Sequence, residues 1–591
     1  MPSPRSSLLA LLGAALVLLG GLLAYSIQTA GGQVSVRDVR FVGTNGTPLS
    51  ALLYVPKGVT AKTPAPGILA VHGYINSREV QADFALEYAR RGYVVLNLDQ
   101  AGHGYSAAPA FANGYGGPAG LAYLRSLDIV DKNNIGLEGH SMGGWTILSA
   151  AAALPDGYKS MVLEGSSTGS GLAPEGSPTF PRNLALVYSK YDEFSQLMWE
   201  VPKAAQVTGS GKLKKVFGVS SATTIDPGKV YGDLQAGTAR VLYTPATTHP
   251  GDHLSRVAIG DSIAWFQQTL SGGKPLPAGN QIWPWKEFGT TLGWIGFILL
   301  VVGSGGLLLR LPYFAPLSQR PARAPVVTAR GWWLAAVITV FLPVLTYFPF
   351  FRLGARLTPN ALWPQSITNQ IMVWALLNSL ISLVLYLLWR RQQPGSVASA
   401  EAPGADGGQG LAPTSSGPTS RWGEIGRSAL LALGAVGVGY LALLLTMYLF
   451  KVDFRFWFVG LKPMSTGQFR MFLAYLIPFT LYALMTATVL HRQLRRTERG
   501  SVWQGALLLC GGFLLFLLLQ YGTLLTTGQL FTPTEPLNVI VAIQFLPILA
   551  ILGIFMTFFA RYTHRVYAGA FVSALFLTWY IVAGQATQFP I

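Results

Sequence analysis

Three textures follow one another along the chain. Residues Ser7 to Tyr25 are almost unbroken in apolarity and follow a single Arg5. That run of about 20 residues fits a membrane span better than the shorter core of a cleavable signal peptide. Gln28 stands where cleavage after Ala30 would want a small residue, so residues 1–30 are expected to remain as a signal anchor. From Gly31 to about Ser271, short β-branched runs alternate with amphipathic stretches and Gly/Asn/Asp turns. The runs are Val34–Val42, Leu49–Tyr54, Gly67–Val71, Tyr93–Leu98, Ile135–Glu138, Met161–Glu164, Leu184–Ser189 and Arg240–Thr244. Helices fit between several of them, as at Arg78–Arg91 and Gly143–Leu154. The alternation predicts an α/β domain over 31–275, built on a mostly parallel eight-stranded sheet with helices on both faces.

Residues 276–287 read as a Gly/Pro linker, with Trp283 and Trp285 suited to a membrane interface. Over 288–591 the pattern changes again, to eight apolar spans centred near Ile298, Val340, Leu380, Tyr440, Thr480, Leu515, Ala550 and Ala574. This predicts an all-α polytopic membrane domain. Between Gln392 and Ser420 a Pro/Gly/Ser/Ala-rich stretch without periodicity reads as a disordered loop. No internal repeat is evident.

Composition agrees with that division. Apolar residues make up 51% and charged residues only 11%, against about a quarter charged in soluble domains. The formal charge of +17 does not point to nucleic acid, because the arginines sit in short loops between apolar runs and not on one soluble face. One set of loop ends holds Arg5, Arg310, Arg320, Arg323, Arg330, Arg390, Arg391, Arg421, Arg427, Arg492, Arg495, Arg496, Arg499, Arg561 and Arg565; the other holds Arg352, Arg356, Lys451, Arg455, Lys462 and Arg470. The first set is expected in the cytoplasm, which puts the α/β domain and Ile591 outside. The lone Cys510 excludes an intrachain disulfide, and no Cys/His cluster suggests zinc.

The strongest chemical signal is Gly139-His140-Ser141-Met142-Gly143-Gly144. A G-x-S-x-G match is weak alone, but this one follows the run Ile135–Glu138 and opens a helix. A serine on such a turn is held strained with its hydroxyl exposed, at a helix N-terminus whose dipole favours a developing oxyanion.

Together with Ala70-Val71-His72-Gly73-Tyr74, Asp99-Gln100-Ala101-Gly102-His103-Gly104-Tyr105-Ser106 and Asp131 before Asn134-Ile135-Gly136-Leu137, this segment resembles the α/β-hydrolase superfamily. The likeness leans to its dienelactone-hydrolase-like and serine-peptidase-like esterase branches and spans roughly residues 34 to 270. It implies an α/β-hydrolase fold, Ser141 as nucleophile, and an oxyanion hole from the backbone N–H groups of Met142 and Tyr74. It also implies the order Ser, acid, His. Asp192, after the run Leu184–Ser189, takes the acid's place, with Glu193 its nearest competitor. His249 is favoured as base over His253, since it stands sixteen residues before Trp265 in the expected final helix and His253 only twelve. His103 and His140 belong to turn motifs and are expected to support backbone. The insertion Phe194 to Thr238 reads equally as a cap over the site or as a surface excursion.

In the membrane half, Asp453 flanks a span end, and Asn378, Gln520 and Gln544 lie within spans. These are too few and too neutral to mark a transport path, and Pro343, Pro478 and Pro547 can kink helices with no such role. The expectation is therefore a membrane-anchored serine hydrolase acting on a small-molecule or lipid-like acyl ester, less readily an amide. It calls for no metal or organic cofactor and no nucleic-acid partner. Two alternatives remain open: an exporter whose hydrolase domain processes cargo, and a binding module that keeps the fold without the chemistry.

Overall fold

The computed structural model describes residues 5–318, 327–392, 421–495 and 501–590. The stretch expected to be disordered lies outside them but for Gln392, as do Arg320, Arg323, Arg496, Arg499 and Ile591 of the orientation argument. The chain opens on helix α1 (Arg5–Gln28). It then builds strands β1 (Val34–Val42), β2 (Pro48–Pro56) and β3 (Ala65–Val71), helix α2 (Ala82–Arg90), β4 (Val94–Asp99), α3 (Gly117–Ser126), β5 (Val130–His140), α4 (Met142–Ala153), β6 (Ser160–Glu164) and β7 (Leu184–Val187). Two short helices, α5 (Ser195–Trp199) and α6 (Gly211–Phe217), precede β8 (Arg240–Tyr243) and α7 (Arg256–Thr269).

Among the described residues the sheet has eight strands in the order β1-β2-β4-β3-β5-β6-β7-β8. β2 runs antiparallel to both its neighbours, and every pair from β4 to β8 is parallel. The central strands are buried on both faces, which is why they read as continuous apolar runs and not as alternating ones. One face packs on α3 and α4 through Leu121, Leu124, Ile147 and Leu148. The other packs on α2 and α7 through Phe84, Tyr88, Ile263 and Trp265. α2 is shorter than the expected Arg78–Arg91: Arg78 is fully buried in the preceding turn, its Nη1 bonded to Asp38 Oδ1 at 2.9 Å and Ser50 Oγ at 2.7 Å.

The helical half follows as α8 (Trp283–Leu308), α9 (Ala329–Leu345), α10 (Tyr347–Gly354), α11 (Ser366–Arg391), α12 (Arg421–Phe450), a hairpin of β9 (Phe454–Phe456) and β10 (Val459–Leu461), α13 (Thr466–Thr488), α14 (Val502–Thr527), α15 (Pro536–Thr563) and α16 (Tyr567–Gly584). Among the described residues eight helices, α1 included, are long and apolar enough to cross a membrane, or nine if α9 and α10, bent by 46°, make one span. Pro343 lies inside α9 just before that bend and removes a backbone donor.

Three features differ from expectation. α8 starts at Trp283, inside the stretch read as linker. Trp283 is not at an interface: it is buried against the sheet domain, and only Trp285 is exposed. The helical half is not wholly helical, because the β9–β10 hairpin reaches the sheet domain.

The two halves meet through buried polar contacts. Lys462 Nζ lies 2.6 Å from Glu79 Oε2 and Lys286 Nζ 2.8 Å from Asp83 Oδ1. Trp457 Nε1 donates to the Pro250 carbonyl at 2.7 Å. Near the C-terminus, Thr587 exchanges backbone hydrogen bonds with Gly102 and Ala110, each 2.8 Å.

Candidate active site

Ser141 lies between β5 and α4 with φ 55° and ψ −122°, a conformation that costs a non-glycine residue of order 1–3 kcal/mol. It is held there by its own N–H donating to the Glu164 carbonyl at 2.8 Å, and by its carbonyl accepting from Gly144 N at 2.9 Å and Ser166 Oγ at 2.7 Å. The turn needs bare backbone around it. A Cβ on Gly143 would stand 2.1 Å from the Val71 carbonyl, and one on Gly139 2.3 Å from the Gly143 carbonyl. Met142 is the first residue of α4, so its N–H has no acceptor within the helix. Tyr74 follows β3 across Gly73, at which a Cβ would lie 3.1 Å from the Ser141 Cβ.

Asp192 and His249 come together. His249 Nδ1–H donates to Asp192 Oδ2 at 2.7 Å, while Asp192 Oδ1 accepts from Phe194 N at 2.8 Å. Both residues are buried. Burial disfavours the imidazolium, yet the Asp192 carboxylate more than offsets this and raises the His249 pKa above its usual 6.5. Glu193, the competitor for the acid's place, has another task. Its Oε2 accepts from the main-chain N–H of His249 at 2.8 Å, and its Oε1 from the Tyr521 hydroxyl of α14, also at 2.8 Å. Burial first, then the neighbouring Asp192, push its pKa up to about 7.

Among the described residues His253 has no carboxylate partner. It is buried with neither ring nitrogen bonded, its ring centroid 4.2 Å from that of His140. Burial, together with His140 and His249, holds its pKa well below 6.5. Asp252 accepts a short hydrogen bond from Ser189 Oγ and lies 3.7 Å from His140 Nε2. That nitrogen also bonds the His249 carbonyl at 2.9 Å, so His140 steadies the His249 loop. His72 and His103 bond the Gly73 and Ala101 carbonyls at 2.7 and 3.0 Å, as backbone supports do.

Ser141, Met142, Tyr74, His249 and His253 line one cavity of about 310 Å³. Of the insertion, Phe194, Leu197 and Met198 reach this cavity, whereas Val207, Leu213, Val216 and Phe217 pack into the sheet domain's core. Cap and excursion are thus both present, in different parts. The rest of the roof comes from the helical half: Phe458 at the tip of the hairpin, and Leu537, Ile540 and Gln544 of α15. Sequence reasoning missed Tyr521, Phe458, Ile540 and Gln544 as parts of the site. Only Gln544, an amide inside an apolar span, carried any signal.

Residues 66–196 match the family described as alpha/beta hydrolase fold. The sheet domain has that fold. Among curated proteins none matches this chain. Of solved structures, a hypothetical protein of Pseudomonas aeruginosa is similar at 14% identity, over 40% of this chain and 94% of that one, with a TM-score of 0.30. An esterase of Pyrococcus furiosus is similar at 15%, over 41% and 94%, with a TM-score of 0.29. A brefeldin A esterase, a bacterial homologue of human hormone-sensitive lipase, is similar at 13%, over 40% and 77%, with a TM-score of 0.29. Likenesses this low carry no argument about what the α/β-hydrolase-fold domain acts on.

Proposed function

We propose that the protein is a membrane-anchored serine hydrolase that cleaves an ester, less readily an amide, through an acyl-enzyme. The observation that carries this reading is the 2.7 Å bond from His249 to Asp192 in the wall of the cavity that also holds the strained Ser141. Ser141 Oγ attacks the carbonyl carbon as His249 Nε2 takes its proton. The negative oxygen is held by the N–H groups of Met142 and Tyr74. As the C–O bond to the leaving group breaks, His249 returns the proton to the departing alcohol. Water, deprotonated by the same imidazole, then releases the acid and restores Ser141. Asp192 holds the ring's tautomer and stabilises the imidazolium without taking the proton.

The loop-charge asymmetry supports an extracytoplasmic sheet domain. Lys451, Arg455 and Lys462 of the sparsely basic set lie at the end of the bundle that contacts it: Gln28 Nε2 donates to the Lys451 carbonyl at 3.2 Å, and Lys462 bonds Glu79. The decisive experiment labels the full-length chain with a fluorophosphonate, which phosphonylates an activated serine with loss of fluoride. Labelling is expected in the parent and absent in Ser141→Ala. Labelling that survives the substitution removes Ser141 from the mechanism.

A further inference from the structure

The roof of the catalytic cavity continues into the bundle. Gln544 lines both the cavity beside Ser141 and a second void of about 30 Å³ among Trp374, Phe545, Ile548 and Leu577. Tyr482 and Leu549 line that void and also a third cavity, of about 350 Å³, between α9, α11 and α13. Leu334 and Leu388 border this third cavity and are 63% and 49% exposed on the outside of the bundle. The series thus ends on the bundle's apolar outer surface. From Leu537 in the first cavity to Leu549 in the third is twelve residues of one helix, about 18 Å at helical rise. Apolar side chains predominate at the neck, where Gln544 is engaged to the Tyr580 hydroxyl by a short hydrogen bond, while the third cavity also presents Thr339, Asn378, Ser382 and Thr486 among its apolar walls.

We infer that the ester taken by Ser141 carries a long hydrocarbon chain, and that this chain lies inside the helical half, threaded past Gln544 between α11, α13 and α15. The inference rests on the reading of Ser141 given above and names the class of its substrate. A short polar ester would leave the roof residues Phe458, Leu537 and Ile540 lining empty apolar space. A hydrocarbon chain fills it and transfers each methylene out of water, which for full burial favours binding by roughly fourfold per carbon. The neck holds about one water molecule's volume, so passage requires Gln544 to leave Tyr580 and rotate along the wall. The series of three voids, separate but sharing walls and starting at the nucleophile, and its opening on an apolar outer surface single out a lipid-like chain as occupant.

The test uses the full-length chain in detergent and a hexadecyl fluorophosphonate with a diazirine at the far end of its alkyl chain. Once bonded to Ser141 and irradiated, the tail is expected to insert into α11, α13 or α15, at residues such as Trp374, Ile548 or Leu549, as mapped by mass spectrometry. Insertion confined to the sheet domain or to detergent overturns the inference. In parallel, Ile548→Trp fills the neck. The ratio of kcat/KM for a dodecanoyl over an acetyl 4-nitrophenyl ester is expected to fall about tenfold against the parent's; an unmoved ratio overturns the inference. Should Ile548→Trp fail to fold, the insertion map on the unmodified chain still decides. Reaction of Ser141 with a short fluorophosphonate but not the long one sinks this inference alone. Reaction with neither sinks the reading of the site as well.

Discussion

His249 is held from three sides, and each hold has its own chemistry. Asp192 orients the ring, Glu193 grips its main-chain N–H, and the His140 ring bonds its carbonyl. Because general-base catalysis needs the neutral imidazole, kcat/KM is expected to rise with pH along a limb whose midpoint lies above 6.5. Asp192→Asn should move that midpoint down and cut kcat by about 10⁴, while His253→Ala leaves the limb in place. A pH profile of the three proteins checks this, and a limb unmoved by Asp192→Asn would refute the coupling. The same shifts bear on stability. His249, raised when folded, contributes stability that is full below its unfolded value and is lost as pH rises through its folded one. Glu193, raised to about 7 from its usual 4.5, makes the folded state weaker as pH climbs between those values. Both act in the same direction. The turns that carry Ser141, Asp192 and His249 were legible in the sequence because each has local punctuation. The second role of Glu193 was not, since its partner Tyr521 is 328 residues away.

At the scale of elements, the most extensive helix pairing among the described residues is between α1 and α8. They run antiparallel with their backbones in contact: a Cβ on Gly296 would stand 2.8 Å from the Gly13 carbonyl and one on Gly20 2.5 Å from the Gly289 carbonyl. Small residues at such a seam let dispersion do what the hydrophobic effect cannot do among apolar neighbours. Gly296→Ala is therefore expected to destabilise by about 1–3 kcal/mol, while Gly511→Ala, with nothing within 4 Å, should be neutral or better. Thermal melts of the two variants in one detergent test this; equal melts would deny the seam its importance. The apolar runs announced both helices. Their partnership was hidden because 254 residues, 29 to 282, separate them, and periodicity carries no information about which faces meet. The hairpin was hidden for a different reason: β9 and β10 are three residues each, too short for any alternation to register, and they depend on Arg455 bonded to Asp453.

For the whole molecule, the charged contacts between halves matter most where they are driest. Glu79 and Lys462 are each about 4% exposed. Burial alone would raise the Glu79 pKa, and Lys462 with Arg78 pulls it well below the carboxylate range. Lys462→Met leaves the buried Glu79 with only the Arg78 guanidinium and the Ser77 hydroxyl as hydrogen-bond donors among the described residues and is expected to cost about 3 kcal/mol. Adding Glu79→Gln should restore much of that loss, and a double-mutant cycle on thermal stability reads the coupling directly. Additive losses would show that the two residues act separately. The positive-inside count treated Lys462 as a loop charge, because a sequence does not tell a solvated lysine from one folded beneath another domain.

The α1–α8 seam also sets a timetable. A ribosome adding roughly 5–20 residues per second needs on the order of 13–50 s to travel between these two partners. Throughout that interval the first helix has no mate, and the intervening domain has time to fold before the pair closes. The nascent chain thus completes its sheet ahead of the roof that covers it, and a fault in the seam would surface as a late assembly defect, with the sheet already formed.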